Sequence, residues 1–144
     1  MKPLRLRFSD GYTLTEMLVV IGIISLIAAV LTPGLMTQLS RARAKSAQLQ
    51  LDTVASSVEL FRSDVGRYPS AQEGLAALVQ EPQGVPTWTG PYVKDPRSLN
   101  DPWGNPLLYS LDADGKHYHV VSLGADGKPG GSGVDRDLTA PAGP

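Results

Sequence analysis

The chain has 144 residues, a formal net charge of −1 and no cysteine. A near-neutral balance gives no electrostatic reason to expect a nucleic-acid partner, and no base-reading motif is present. Without cysteine there is no disulfide framework, no thiol nucleophile and no thiolate metal site.

In chain order, a basic tip carrying Lys2, Arg5 and Arg7 precedes an apolar stretch. From Met17 to Leu31 there is no charge, and only Gly22 and Ser25 interrupt the apolar run. Counted from Tyr12 to Met36, the segment reaches the roughly 20 residues that a membrane-spanning helix requires. A basic tip before an apolar run is also the pattern of a secretory signal peptide. Against that stand the length of the run, the lack of a small-x-small pattern at its end, and Glu16 at its N-terminal edge. A carboxylate in the bilayer core costs about 2.5–3.5 kcal/mol on insertion scales, so it either snorkels to the interface or has a partner.

Gly11-Tyr12-Thr13-Leu14-Thr15-Glu16 followed by the apolar run resembles the class III leader junction of type IV pilins and pseudopilins. The resemblance implies that a prepilin peptidase cuts after Gly11 and that the new N-terminal Tyr12 is N-methylated. It also implies that Glu16 pairs with the amine of a neighbouring subunit. Tyr12 departs from the usual phenylalanine but keeps the ring, and Thr15 departs from the usual aliphatic residue. The expected organisation is a cleaved leader over 1–11, a transmembrane half-helix over 12–36 and a globular domain over 37–144. The basic leader favours a cytoplasmic N-terminus, whereas Arg41, Arg43 and Lys45 after the span pull the other way. The leader junction breaks the tie, because such a peptidase works from the cytoplasmic face. The expected location is therefore the bacterial inner membrane, single-pass, with the C-terminal domain in the periplasm.

Pro33-Gly34 interrupts the helical pattern, and a proline inside a helix removes one backbone hydrogen bond. The apolar periodicity nonetheless resumes at once. Ser40, Ala44, Ala47, Leu51, Val54, Val58 and Phe61 recur at helical spacing, with Arg41, Arg43, Lys45, Gln48, Asp52 and Glu59 on the other side. One helix is predicted from Tyr12 to about Ser63. In the pilin family a proline at this place marks where the helix loosens as subunits pack, and Pro33 matches that position.

Gly66 and Pro69 end the helix. Ser70 and Glu73 are spaced as a capping box, and a second short helix is predicted over Gly74–Val79. Residues 81–100 form a loop in which Trp88 and Tyr92 act as anchors. Asp101-Pro102-Trp103-Gly104-Asn105-Pro106 is a turn, with Trp103 expected to pin it to the body. A carbohydrate-binding role for Trp88 and Trp103 is the less favoured reading. Leu107–Leu111 and Tyr118–Leu123 are strands joined by a hairpin turn at Asp112–Gly115. His117 and His119 stand two apart on the second strand. With no third ligand evident, they are read as surface histidines. The Gly66-Arg67-Tyr68-Pro69 run and the Asp101–Pro106 turn resemble one subgroup, the major pseudopilins of type II secretion.

From Leu123 to Leu138 the chain is dense in glycine and holds Asp126, Asp135 and Asp137. A flexible tail is one reading. An EF-hand is excluded by the spacing of the acids and the absence of flanking helices. A third reading is a non-EF calcium site, since Ca²⁺ takes carboxylate and carbonyl oxygens and glycines let carbonyls converge. The pattern is similar to the calcium-binding loop of the major pseudopilins. That resemblance implies Asp126, Asp135 and Asp137 as side-chain ligands and the Leu123 carbonyl as a backbone ligand. Asp112 and Asp114 are assigned to the hairpin turn instead. Thr139–Pro144 is expected to fray.

Taken together the resemblance implies an α+β, type IV pilin-like fold: a long N-terminal helix packed on a small antiparallel sheet, with a C-terminal metal-binding loop. It implies a structural role, not an enzyme, as a subunit of a periplasmic pseudopilus that drives export of folded proteins through an outer-membrane secretin. Implied partners are further copies of the chain in a helical homopolymer, minor pseudopilins, the prepilin peptidase and the inner-membrane assembly platform. The alternatives are a type IV pilin or DNA-uptake pseudopilus subunit and, in a different class, a membrane-anchored periplasmic binding module.

Overall fold

The computed structural model describes residues 11–141, so Lys2, Arg5, Arg7 and the rest of the leader up to Asp10 lie outside the described residues. Its dominant element is α1, Leu14–Val65, a helix that passes through Pro33 without a break. The chain divides into two units, Met1–Gln38 and Leu39–Pro144.

In the first unit, helical residues 14–38 leave every side chain exposed, including Ile21, Ile24, Leu26, Val30 and Leu31. Nothing among the described residues covers this surface. By length and composition the segment can cross a membrane. Thr13 and Glu16 close its N-terminus reciprocally. The Thr13 backbone N–H and hydroxyl each donate to Glu16 Oε2 at 2.8 Å, and the Glu16 N–H donates to Thr13 Oγ1 at 3.2 Å. This is a capping box, satisfying donors that a helix start leaves free. On either side of Pro33, the Thr32 and Thr37 hydroxyls donate back to the Ala28 and Pro33 carbonyls at 2.6 and 3.1 Å.

In the second unit the rest of α1 is amphipathic. Ala47, Leu51, Val54, Ala55, Val58 and Phe61 are buried, while Ser40 and Ala44 at the start of the predicted stripe are only partly covered. Gly66, at φ +84°, ends the helix in the left-handed region that favours glycine, and its N–H donates to the Arg62 carbonyl at 2.8 Å. The Ser70–Glu73 box forms: Ser70 N–H donates to Glu73 Oε2 at 2.7 Å and Glu73 N–H to Ser70 Oγ at 3.2 Å. It leads into a 3₁₀ helix over Gly74–Leu78. The box closes a turn, and the short apolar segment after it winds more tightly than the predicted helix.

Three strands make one antiparallel sheet in the order β1 (Leu108–Leu111), β2 (Tyr118–Ser122), β3 (Leu138–Ala140). Leu111 faces Tyr118 across the hairpin, and Val120 faces Ala140. The third strand corrects the expectation of a frayed end from Thr139, since Ala140 is fully buried in the core; residues 142–144 lie outside the described residues. β2 buries Tyr118, Val120 and Ser122 by strict alternation. Tyr118 and Val120 meet Leu51, Val54, Val58, Phe61 and Leu78 in one core. The buried Tyr118 hydroxyl donates to the Ala55 carbonyl at 3.0 Å, fixing sheet to helix.

The long loop is anchored by its aromatics. Trp88 Nε1 donates to the Ala77 carbonyl at 2.9 Å, and Tyr92 packs edge-on against both Trp88 and Phe61. In the turn at residues 101–106, however, the pin is Asp101 rather than Trp103. Asp101 is buried and accepts from Trp103 N–H, Asn105 N–H and the Ser122 hydroxyl at 3.0, 2.8 and 2.7 Å, whereas Trp103 is only half-buried. A carboxylate that collects several donors holds a turn more specifically than a ring that merely packs.

Arg67 clamps Glu73 through two bonds of 2.7 Å, which holds the Glu73 carboxyl down at about 2. A depressed carboxyl stabilises the fold above its unfolded value of about 4.3, and that contribution is lost as pH falls toward 2. Because Arg67 is half-exposed, water screens the pair, and we expect Glu73→Gln to cost about 1–2 kcal/mol at neutral pH. Denaturant titrations across pH should show the deficit shrinking toward zero near pH 2. A deficit that does not change with pH would contradict the assignment.

Candidate functional site

Residues singled out in the sequence fall in two places, one in each unit. In the first unit, Gly11 and Tyr12 lie just ahead of α1, and Glu16 lies in its first turn. Tyr12 is 81% exposed, so nothing among the described residues holds the ring that would follow the leader. The Glu16 carboxylate is exposed, with Oε2 taken up by Thr13. The partner of this acid within a single chain is therefore the cap of its own helix, which the sequence reading did not anticipate. The spacing of Thr13 and Glu16, Thr-x-x-Glu, is the pattern that would have found it. Pro33 sits in mid-helix with an exposed side chain. Lacking an N–H, it cannot donate to the carbonyl four residues earlier, that of Ala29.

In the second unit, the segment after β2 folds back on itself instead of trailing away. Ala125 N–H donates to the Val134 carbonyl at 3.0 Å, Gly130 N–H to Asp137 Oδ2 at 2.9 Å, and Asn105 Nδ2 to the Gly124 carbonyl at 2.9 Å. Two glycines make the close approach possible. A Cβ on Gly124 would sit 2.7 Å from the Asp135 carbonyl carbon, and one on Gly131 would sit 2.5 Å from its oxygen. Both also have positive φ, at +70° and +92°. The loop is thus built around the Asp135 backbone.

The donors fit a hard cation in kind: carboxylates and carbonyls, with no nitrogen or sulfur among them. Asp137 Oδ1 is buried with no hydrogen-bond partner among the described residues, a costly state that a cation would relieve. Leu123 immediately follows β2 and leads into the loop at Gly124, while Asp126 accepts from Lys128 N–H at 3.1 Å. The carboxylates of Asp126, Asp135 and Asp137 are not drawn into one compact group. Among the described residues, the His, Asp and Glu side chains that do gather, with ligand atoms within 4.8 Å of one another, are Asp112, Asp114 and His117. A third ligand beside the histidines was not evident in the sequence, because Asp112 and Asp114 have the residue types and spacing of a turn. His117, expected on the second strand, precedes it, since β2 begins one residue later, at Tyr118.

Comparison with known proteins bears on both units. The family model described as type II secretion system (T2SS), protein G matches residues 34–141, and the prokaryotic N-terminal methylation motif matches residues 6–32. The type II secretion system core protein G of Xanthomonas campestris pv. campestris is 38% identical over 89% of this chain and 87% of its own length. That of Pseudomonas aeruginosa is 37% identical over 92% of this chain and 94% of its own length. Among solved structures, the major pseudopilin from the type 2 secretion system of enterohaemorrhagic Escherichia coli aligns with a TM-score of 0.57 and 26% identity, covering 75% of this chain and 94% of that one. A helix running into a small antiparallel sheet, matched along most of its length by these relatives, places the chain in the type II secretion system protein G family.

Proposed function

We propose that the chain is a structural subunit of the type II secretion pseudopilus and polymerises through its N-terminal helix. The observation that carries this is the protein G match over 34–141, on the same chain as a methylation motif over 6–32. The exposed apolar surface of residues 14–38 supports it, because such a surface needs lipid or other helices to cover it. In this reading the prepilin peptidase removes residues 1–11, Tyr12 becomes the methylated N-terminus, and the domain from residue 37 onward stands in the periplasm. Helix-on-helix contacts between copies are heterologous and do not close, so they build a filament. Growth of that filament pushes folded proteins toward an outer-membrane secretin. Minor pseudopilins and the inner-membrane assembly platform are the partners that start and extend it.

Glu16 selects the next subunit. Its Oε2 is satisfied by Thr13 within the chain, and the rest of the carboxylate is free to receive the Tyr12 amine of a neighbour. In an apolar surround an unpaired charge on either side is strongly disfavoured, so the pairing sets register. Pro33 supplies the place where the helix loosens on packing, because one backbone bond is already missing there.

The C-terminal loop holds calcium in this reading, through the side chains of Asp126, Asp135 and Asp137 and the Leu123 carbonyl. The ion supplies positive charge that offsets three acids in a domain without disulfides. The orphaned Asp137 Oδ1 and the glycine approach to Asp135 support the assignment.

Glu16→Ala should insert into the inner membrane normally yet form no filaments, read by membrane fractionation and electron microscopy of sheared cells. Abundant filaments from this variant would refute the pairing role. Chelating calcium should lower the melting temperature of the full chain in detergent micelles by several degrees, and Asp126→Ala should reproduce that shift and be insensitive to chelator. An unchanged melt would show that the loop closes without an ion.

A further inference from the structure

We propose that the tip of the β1–β2 hairpin is a second metal site, selective for a divalent transition ion of the zinc class and held by Asp112, Asp114, His117 and His119. The turn is built by the backbone: Asp112 N–H donates to the His117 carbonyl and Gly115 N–H to the Asp112 carbonyl, each at 2.9 Å, with Gly115 at φ +67°. This places Asp112 opposite His117, one step beyond the Leu111–Tyr118 pair. Tyr118 points into the core, so alternation sends the flanking His117 and His119 to the solvent side of the strand. There, single ligand atoms from Asp112, Asp114 and His117 lie within 4.8 Å of one another. His117 Nδ1 is 3.1 Å from Asp114 Oδ2, and His119 Nε2 is 3.8 Å from Asp112 Oδ1, so each imidazole borders one of the two acids, with His119 beside the group that the other three form.

The donor set determines the ion. Two imidazole nitrogens with two carboxylates suit zinc, copper or nickel and are a poor set for calcium, which takes oxygens alone. The hairpin therefore differs in chemistry from the all-oxygen loop around Asp126, Asp135 and Asp137, and the two need not compete. All four side chains are close to half-exposed or more, so an ion can reach them without opening the fold. Bound there, it would link the end of β1 to β2 across the turn. Like any ligand that binds only the folded form, it would raise stability with concentration.

The test uses the untagged full chain in detergent micelles, with calcium kept saturating so that any oxygen-only site is already filled. Zinc is titrated by calorimetry, and cobalt is titrated as its spectroscopic substitute. The expected result is one zinc per chain and a cobalt visible band showing nitrogen and oxygen ligation. The double change His117→Ala and His119→Ala should weaken both by at least about tenfold, as loss of metal-site residues does, while Asp126→Ala leaves them unchanged. Since the histidines are exposed, the double variant should keep the metal-free circular dichroism spectrum and melt of the parent. No zinc uptake at millimolar concentration, or uptake that the double variant retains, would overturn the proposal.

Discussion

The fold depends on one helix with two different surfaces. From Leu39 onward, α1 has a stripe of Leu51, Val54, Val58 and Phe61 that the chain buries completely beneath its own loop and sheet. Before that, residues 14–38 are exposed all round, with an almost wholly apolar surface as far as Leu31. A stripe is covered by a partner on one side, whereas an all-round apolar helix is covered only by lipid or by other helices. The second half thus folds the domain, and the first half leaves an association surface. Tyr118 shows how firmly the domain half is fixed, since its ring is core and its hydroxyl is bonded to the helix backbone at Ala55. Burial accordingly pushes its phenol well above the ordinary tyrosine range.

Within the unburied half, the polar groups are few, and several are satisfied locally. Glu16 caps its own helix through Thr13, and Thr32 and Thr37 fold their hydroxyls back onto carbonyls around Pro33. In a membrane, where water cannot substitute for a missing partner, such internal pairing keeps the segment insertable. It also leaves the Glu16 carboxylate ready to exchange or share partners when an amine arrives. The residue that caps the helix is thus the one to which the assembly role is proposed.

Much of this was legible in the sequence because periodicity and end signals agree. Five positions of the stripe, Ala47, Leu51, Val54, Val58 and Phe61, the stop at Gly66 and the Ser70–Glu73 box follow from residue type and spacing and correspond to formed features. β3 was not legible: Leu138–Ala140 is too short to show alternation, and it sits in a stretch whose composition reads as a tail. Its strand state comes from pairing with Val120 to Ser122, a long-range contact that local sequence does not encode. For the same reason Asp101 was overlooked in favour of Trp103. The Ser122 hydroxyl that makes the acid a pin lies 21 residues away. The hairpin cluster was missed because Asp112 and Asp114 were read as turn formers, which they are, although a turn residue can also present a ligand.

In the C-terminal loop, sequence and structure inform different parts. Composition supplies the acids proposed as oxygen donors, and the fold adds the glycine approach to Asp135 and the orphaned oxygen of Asp137. The proposed assembly, in turn, rests on release of the N-terminal helix by proteolysis, and one measurement addresses that release most directly. Intact-mass and N-terminal fragment spectra of the chain recovered from envelopes that contain a prepilin peptidase should show a polypeptide beginning at Tyr12 and carrying one added methyl group. A chain that still begins at Met1 and remains monomeric in those envelopes would contradict it.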